Sequence, residues 1–193
     1  MSSSRQWIVV GGVTLTLVGL LAFGAMSDGT AGPIVPGSVA PDFSAHTLPD
    51  SGAGSPEVRG IASYRGKPIL LNLWATWCGP CREEMPRIET LHKELGPAGL
   101  MVVAVSIDNP GMADAIREFR REMELTFEIV YDESGKIRDD YQTTGVPETF
   151  LIDRNGVIRR RLIGSSWTVN EQRPLLRELI AEPANAVPAA RQD

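Results

Sequence analysis

The chain has 193 residues, with 24 acidic against 19 basic side chains and a formal net charge of -5 at pH 7. That length supports one globular domain with a full core and short appendages, and leaves little room for a second domain. An acidic chain without a cationic footprint excludes nucleic acid as a partner, and the short run Arg159-Arg160-Arg161 reads as a solvated strand or its turn.

From Trp7 to Met26 the chain carries no charge, between Arg5 on one side and Asp28 on the other. About 20 apolar residues in a helix cross a bilayer core. Arg5 and the amino terminus precede the run, which places residues 1–6 in the cytoplasm and everything after Asp28 outside it. The reading is a retained signal anchor over 7–26. A cleaved secretory signal ending near Ala22, Gly24 and Ala25 is the rival. No cysteine follows the run, which excludes a lipid-anchored lipoprotein. Either reading exports the domain to an oxidising compartment.

Residues 27–40, rich in Gly, Pro, Ser and Ala, form a tether, and the domain spans 41–181. The segment from Pro49 to Gly60 predicts an irregular loop or loose hairpin. Ile69 to Trp74 is an almost unbroken apolar run, the pattern of a strand buried on both faces. Pro80 to Glu94 predicts a helix with proline in its first turn. Leu100 to Ile107 predicts a second buried strand, and the apolar spacing from Met112 to Met123 an amphipathic helix. Phe127 to Val130 reads as a short strand and Ser134 to Tyr141 as a short helix. Thr149–Ile152 and Val157–Ile163 form an antiparallel pair turned by Arg154-Asn155-Gly156. Leu175 to Ile180 predicts a closing helix, and 182–193 an Ala/Pro-rich disordered tail. Parallel strands joined by helices, then a hairpin and a terminal helix, give an α/β fold with helices on both faces.

Both cysteines of the chain lie in Trp77-Cys78-Gly79-Pro80-Cys81, between the first buried strand and its helix. Cys78 therefore sits at the positive end of a helix dipole beside free backbone N–H groups, which favours thiolate. Cys81, one turn further in, is placed to attack a mixed disulfide formed by Cys78. A zinc site normally needs four ligands, and the chain could add only His46 and His92, at no recognisable spacing. A structural disulfide across so short a loop would constrain the unfolded chain very little. The pair reads as redox-active.

The residues Leu71-Asn72-Leu73-Trp74-Ala75-Thr76-Trp77-Cys78-Gly79-Pro80-Cys81-Arg82-Glu83-Glu84-Met85-Pro86, with Gly145-Val146-Pro147-Glu148-Thr149-Phe150-Leu151-Ile152-Asp153, resemble the thioredoxin superfamily. Within it they resemble the membrane-tethered TlpA/ResA group, which includes the cytochrome c biogenesis reductase CcmG/DsbE. The resemblance covers Pro41 to Ile180. It implies a thioredoxin-like fold: a central mixed sheet, helices on both faces and a central insertion around Asn109 to Phe127. It implies no cofactor and no metal. It implies that Pro147 is cis, packs against the dithiol and frees the backbone of Val146 to pair with an extended client. Cys78, Cys81, Glu84 and Pro147 are then the catalytic set; Trp77, Gly79, Pro80, Val146, Glu148 and Gly164 line the client groove. Pro86 matches the proline that kinks the active-site helix.

One departure from ordinary thioredoxin is informative. Its buried Asp, six residues before the first active-site cysteine, is Asn72 here and cannot titrate. TlpA/ResA-like proteins share this Asn and use an acid just after the dithiol, which maps onto Glu84; Glu148 beside Pro147 is a second candidate.

The resemblance implies a thiol:disulfide reductase anchored in a bacterial inner membrane, with its dithiol facing the periplasm. Its clients would be the cysteine pairs of apocytochrome c or of a copper-assembly protein, and its electron source a transmembrane thiol carrier of the CcdA or DsbD type. Three alternatives stand beside it. Ala40-Pro41-Asp42-Phe43 also resembles the opening of a peroxiredoxin, but Leu71 and Ala75 replace the Pro and Thr/Ser such a peroxidase places before its cysteine. A DsbA-like oxidase usually carries His where Gly79-Pro80 stands. A Cu(I)-binding module suits two thiolates, yet dedicated copper chaperones of this fold use a wider cysteine spacing and a distant His.

Overall fold

The computed structural model describes residues 32–49 and 54–183. The expected cytoplasmic residues 1–6, the span 7–26, the start of the tether and the tail beyond residue 183 lie outside the described residues. Among the described residues no helix is long and apolar enough to cross a membrane.

One seven-stranded sheet organises the domain, with strands β1 (Ala45–Thr47), β2 (Val58–Arg59), β3 (Ile69–Trp74), β4 (Met101–Ser106), β5 (Glu128–Tyr131), β6 (Glu148–Ile152) and β7 (Ile158–Ile163). Their spatial order is β2-β1-β5-β4-β3-β6-β7. The β3–β4 and β4–β5 pairs are parallel; β3–β6, β6–β7, β1–β5 and β1–β2 are antiparallel. The mixed sheet is the one the motifs imply. All six residues of β3 are buried, so its leucines each contribute about 1.5–3 kcal/mol of apolar burial. Of the described residues in the stretch 49–60, expected to be an irregular loop or loose hairpin, only β2 is a strand, and it pairs with β1, which lies before that stretch.

The helices are α1 (Gly79–Leu95), α2 (Ala113–Glu122), α3 (Lys136–Asp140) and α4 (Val169–Ala181). α1 starts where Cys78, in extended conformation, caps it with its own sulfur. Cys81, Met85, Ile88, Leu91 and Leu95 make its buried stripe, and it packs against α4. α2, in the central insertion, turns Ile116 and Phe119 inward. Phe119 stacks 4.6 Å from Trp74 at the end of β3, and Arg82 of α1 lies over the Phe119 ring and pairs with Glu122. The insertion therefore packs against the dithiol end of α1. On the opposite face of the sheet, Tyr141 at the end of α3 packs on Phe150, ring centroids 5.0 Å apart.

Three local features differ from expectation. α4 begins six residues earlier, because Thr168 and Glu171 form a capping box and the helix runs through Pro174. Residues 33–40, the later part of the expected tether, lie along the domain. Ile34 is buried, and Gly37 and Ala40 donate to the carbonyls of Ile158 and Gly156 at 2.7 and 2.8 Å. The arginine run of β7 is half-buried rather than solvated: Arg159 pairs with Glu182, Arg160 with Gln172 and Arg161 with Glu148.

Candidate active site

Three loops converge at the end of β3. The β3–α1 loop carries Cys78, the α3–β6 loop carries Val146 and Pro147, and the β7–α4 loop begins at Gly164. Cys78 and Cys81 form a disulfide, Cα atoms 5.3 Å apart. Cys78 is 5% exposed and Cys81 fully buried. The backbone N–H of Cys81 points at Sγ of Cys78 from 3.1 Å. In the reduced protein the same donor, reinforced by the positive end of α1, faces the charge of a Cys78 thiolate.

Val146-Pro147 is cis, and the carbonyl oxygen of Val146 lies 3.5 Å from Sγ of Cys78. Pro147 is buried while Val146 is half-buried. Gly164 donates its N–H to the carbonyl of Pro147 at 2.9 Å from a left-handed φ of 75°, a conformation a side chain would strain. Gly79 and Pro80 are exposed beside the disulfide. Trp77, beside Cys78, is 66% exposed, and Ile163, next to Gly164, is 68% exposed.

Behind the disulfide Glu84 is fully buried, one turn past Cys81 on the same face of α1. Its Oε2 accepts from Nδ2 of Asn72 at 3.2 Å. Its Oε1 accepts from the hydroxyl of Thr149 at 2.8 Å and the indole N–H of Trp167 at 2.5 Å. Asn72 also donates to Thr149 at 2.9 Å, so β3, β6, α1 and the loop before α4 meet in one polar cluster. Burial pushes the Glu84 pKa above the ordinary 4.5, against the opposing pull of Thr149, Trp167, Asn72 and the cation of Arg87. A carboxyl raised in this way holds a proton more readily than a solvated one, which suits it to accept one from a neighbouring thiol.

Glu148 lies on the other face of β6. It is 1% exposed and ion-paired with Arg161, whose remaining nitrogens donate to the carbonyls of Ile34 and Gln142, both at 2.9 Å. Its carboxyl therefore supports the Pro147 loop from beneath instead of facing the groove.

Sequence reasoning missed Trp167, Arg161 and Asp108. Asp108 is buried and accepts from the backbone N–H of Thr76 at 3.0 Å, its hydroxyl at 2.7 Å and the hydroxyl of Ser106 at 2.7 Å, pinning the loop that leads into Cys78. A Ser-x-Asp at the end of a buried strand was the available signal. His46 and His92 stay apart from the dithiol's polar cluster: His46 is exposed on β1, and His92 packs edge-on to Phe127. Among the described residues no three His, Cys, Asp or Glu side chains group to hold a metal.

A profile of the AhpC/TSA family matches residues 36–161. The thioredoxin-like protein YneN of Bacillus subtilis is 41% identical over 130 residues, covering 67% of this chain and 72% of that protein. The thiol-disulfide oxidoreductase ResA of Geobacillus kaustophilus is 33% identical over 139 residues, covering 72% and 75%. Among solved structures, a protein of Chlorobium tepidum described as a DsbE-type thiol:disulfide interchange protein superposes with a TM-score of 0.61 at 29% identity. That match covers 76% of this chain and 96% of the other.

Proposed function

Because the chain belongs to the AhpC/TSA family and, with its ResA and YneN relatives, to the thioredoxin-like thiol-disulfide oxidoreductases, we propose that it is a reductase of client disulfides. In the reduced protein the Cys78 thiolate attacks one sulfur of a client disulfide. The client S–S bond breaks, its other sulfur leaves as a thiolate that is protonated by water, and a mixed disulfide forms. The thiol of Cys81 then gives its proton to Glu84, and its sulfur attacks Sγ of Cys78. The bond to the client breaks, the second client sulfur leaves and takes up a proton. Two electrons have passed to the client, and the protein holds the Cys78–Cys81 disulfide. A second dithiol must reduce it for the next cycle.

The observation that carries this reading is the asymmetry of the pair: Cys78 lies against the Val146 carbonyl at the groove, while Cys81 is fully buried behind it, one helical turn before the buried acid Glu84. An extended client pairing with the backbone at Val146 would bring its own sulfur onto Cys78.

The finer setting follows from the uncharged run 7–26 and the oxidising compartment beyond it. We place the domain outside a bacterial inner membrane, tethered by that segment. There it would keep reduced the cysteines of apocytochrome c or of a copper-assembly protein, and would be recharged by a transmembrane thiol carrier of the CcdA or DsbD type. A Cys81→Ser variant in native membranes tests this. It should accumulate partners linked through Cys78, identifiable by mass spectrometry; recovery of no client and no carrier would overturn the setting. Peroxidase activity, the other chemistry the family name raises, meets apolar Leu71 and Ala75 at the positions that would need Pro and Thr/Ser. Rapid peroxide turnover that needs Cys78 but not Cys81 would reinstate it.

A further inference from the structure

The two oxygens of the Glu84 carboxyl are not equivalent. Oε1 accepts two hydrogen bonds, from the Thr149 hydroxyl and the Trp167 indole, at 2.8 and 2.5 Å. Oε2 accepts one, from Asn72 at 3.2 Å. A carboxylate oxygen offers about two lone-pair sites, so Oε1 is filled and Oε2 keeps one open. Beside it the Oδ1 of the same Asn72 amide, fully buried, has no partner among the described residues. Turned over, that amide would present Oδ1 as an acceptor to a protonated Oε2.

Trp167 is held for this contact. It is buried, lies in the short loop between β7 and α4, and carries Arg87 over its ring at 5.7 Å. Arg87 also ties down the loop through the Ser165 carbonyl at 2.5 Å. The capping box at Thr168 begins the helix one residue later, so the indole has little freedom to leave.

We propose that Trp167 is a positioning residue for the proton step of the dithiol: by filling Oε1 together with Thr149, its indole N–H directs the proton released by Cys81 to Oε2 of Glu84. The S–H bond of Cys81 breaks, its electron pair stays on sulfur for the attack on Cys78, and an O–H bond forms at Oε2. This rests on Glu84 acting as the base of the proposed reductase, and it deepens that reading by naming the group that orients the base. The charged group acting on Glu84 is Arg87 on α1, and Cys81 precedes it by one turn of the same helix; Glu148 of β6 lies on the opposite face of the sheet with Arg161, and Arg160 of β7 is bound to Gln172 of α4.

The test is a pH titration of the full chain, labelled with carboxyl-13C glutamate and 15N tryptophan. Loss of one resonance in Glu84→Gln assigns the Glu84 carboxyl. In the unsubstituted protein the indole proton of Trp167 should shift with the same midpoint as that carboxyl. Trp167→Phe, which keeps the ring beneath Arg87 but removes the N–H, should raise the midpoint by about one pH unit, because the carboxylate loses a donor. An indole resonance that ignores the titration, or an unmoved midpoint in the folded Phe variant, overturns the proposal. Neither readout involves a client, so failure of the reductase reading would appear separately, as absence of disulfide exchange.

Discussion

The backbone N–H of Cys81 lies 3.1 Å from the sulfur of Cys78 and points at it. The residue that will resolve the mixed disulfide thus also stabilises the sulfur that forms it. The two cysteines should consequently fail differently when substituted. Cys78→Ser should reduce a model disulfide no faster than background, whereas Cys81→Ser should react once and stall as a mixed disulfide. A gel-shift and mass-spectrometric time course separates the two outcomes. Equal trapping by both variants would contradict the assigned order of attack.

Glu84→Gln should slow resolution by about a hundredfold or more, the usual worth of a positioned acid–base group. Its effect on stability has the opposite sign. Burial holds the Glu84 pKa above 4.5 in the folded protein, so between 4.5 and that raised value the native state keeps a proton that the unfolded chain has released. Stability then falls as pH rises through this window, and the full cost is present above it. At a pH above this window the Gln variant should be the more stable of the two, with the advantage gone below pH 4.5. Thermal melts at the two pH values check the sign.

Arg161 neutralises Glu148, which is 1% exposed. Arg161→Met should therefore cost about 3–5 kcal/mol by stranding a buried charge. The double variant Arg161→Met, Glu148→Gln should recover most of it, as urea unfolding would read. Because Arg161 also bonds the Gln142 carbonyl ahead of Pro147, the single variant should raise KM for a peptide disulfide.

Glu89, on the buried side of α1, anchors the return from the central insertion. Its carboxylate accepts from the N–H and hydroxyl of Thr126 at 2.9 and 2.6 Å, and pairs with Lys93 at 3.1 Å. Burial alone would push its pKa up, but these partners outweigh burial and hold it below the ordinary 4.5. Its stabilisation is present above 4.5 and lost as pH falls through the depressed value. Glu89→Gln should lose about 1–2 kcal/mol at pH 7, and the gap should narrow in acid. Urea midpoints from pH 7 down to pH 3 check it.

The sheet's centre was legible because β3 and β4 are apolar but for Asn72 and Ser106, and the turn at Gly156 has its own chemistry. β1 and β2 were not, being three and two residues long, too short to show alternation. The capping box of α4 was written in Thr168 and Glu171, but the start was predicted at Leu175, past it. At the site, Cys78, Cys81, Glu84 and Pro147 came from local motifs. The contacts of Trp167 to Glu84, Arg161 to Glu148 and Asp108 to Thr76 join residues 83, 13 and 32 positions apart. No local pattern encodes such contacts; they exist only once the sheet has set which side chains share a face. The arginine run of β7 shows the same limit, since its charges are absorbed by partners on β6, α4 and beyond.

The central claim, that this dithiol donates electrons to clients, is tested most directly by the equilibrium potential of the Cys78–Cys81 pair against a glutathione buffer. A reductase with Gly-Pro between its cysteines should sit near the thioredoxin end of the scale, roughly -270 mV, and in any case below about -200 mV. A potential near that of DsbA, about -120 mV, would make the protein an oxidant and contradict the account.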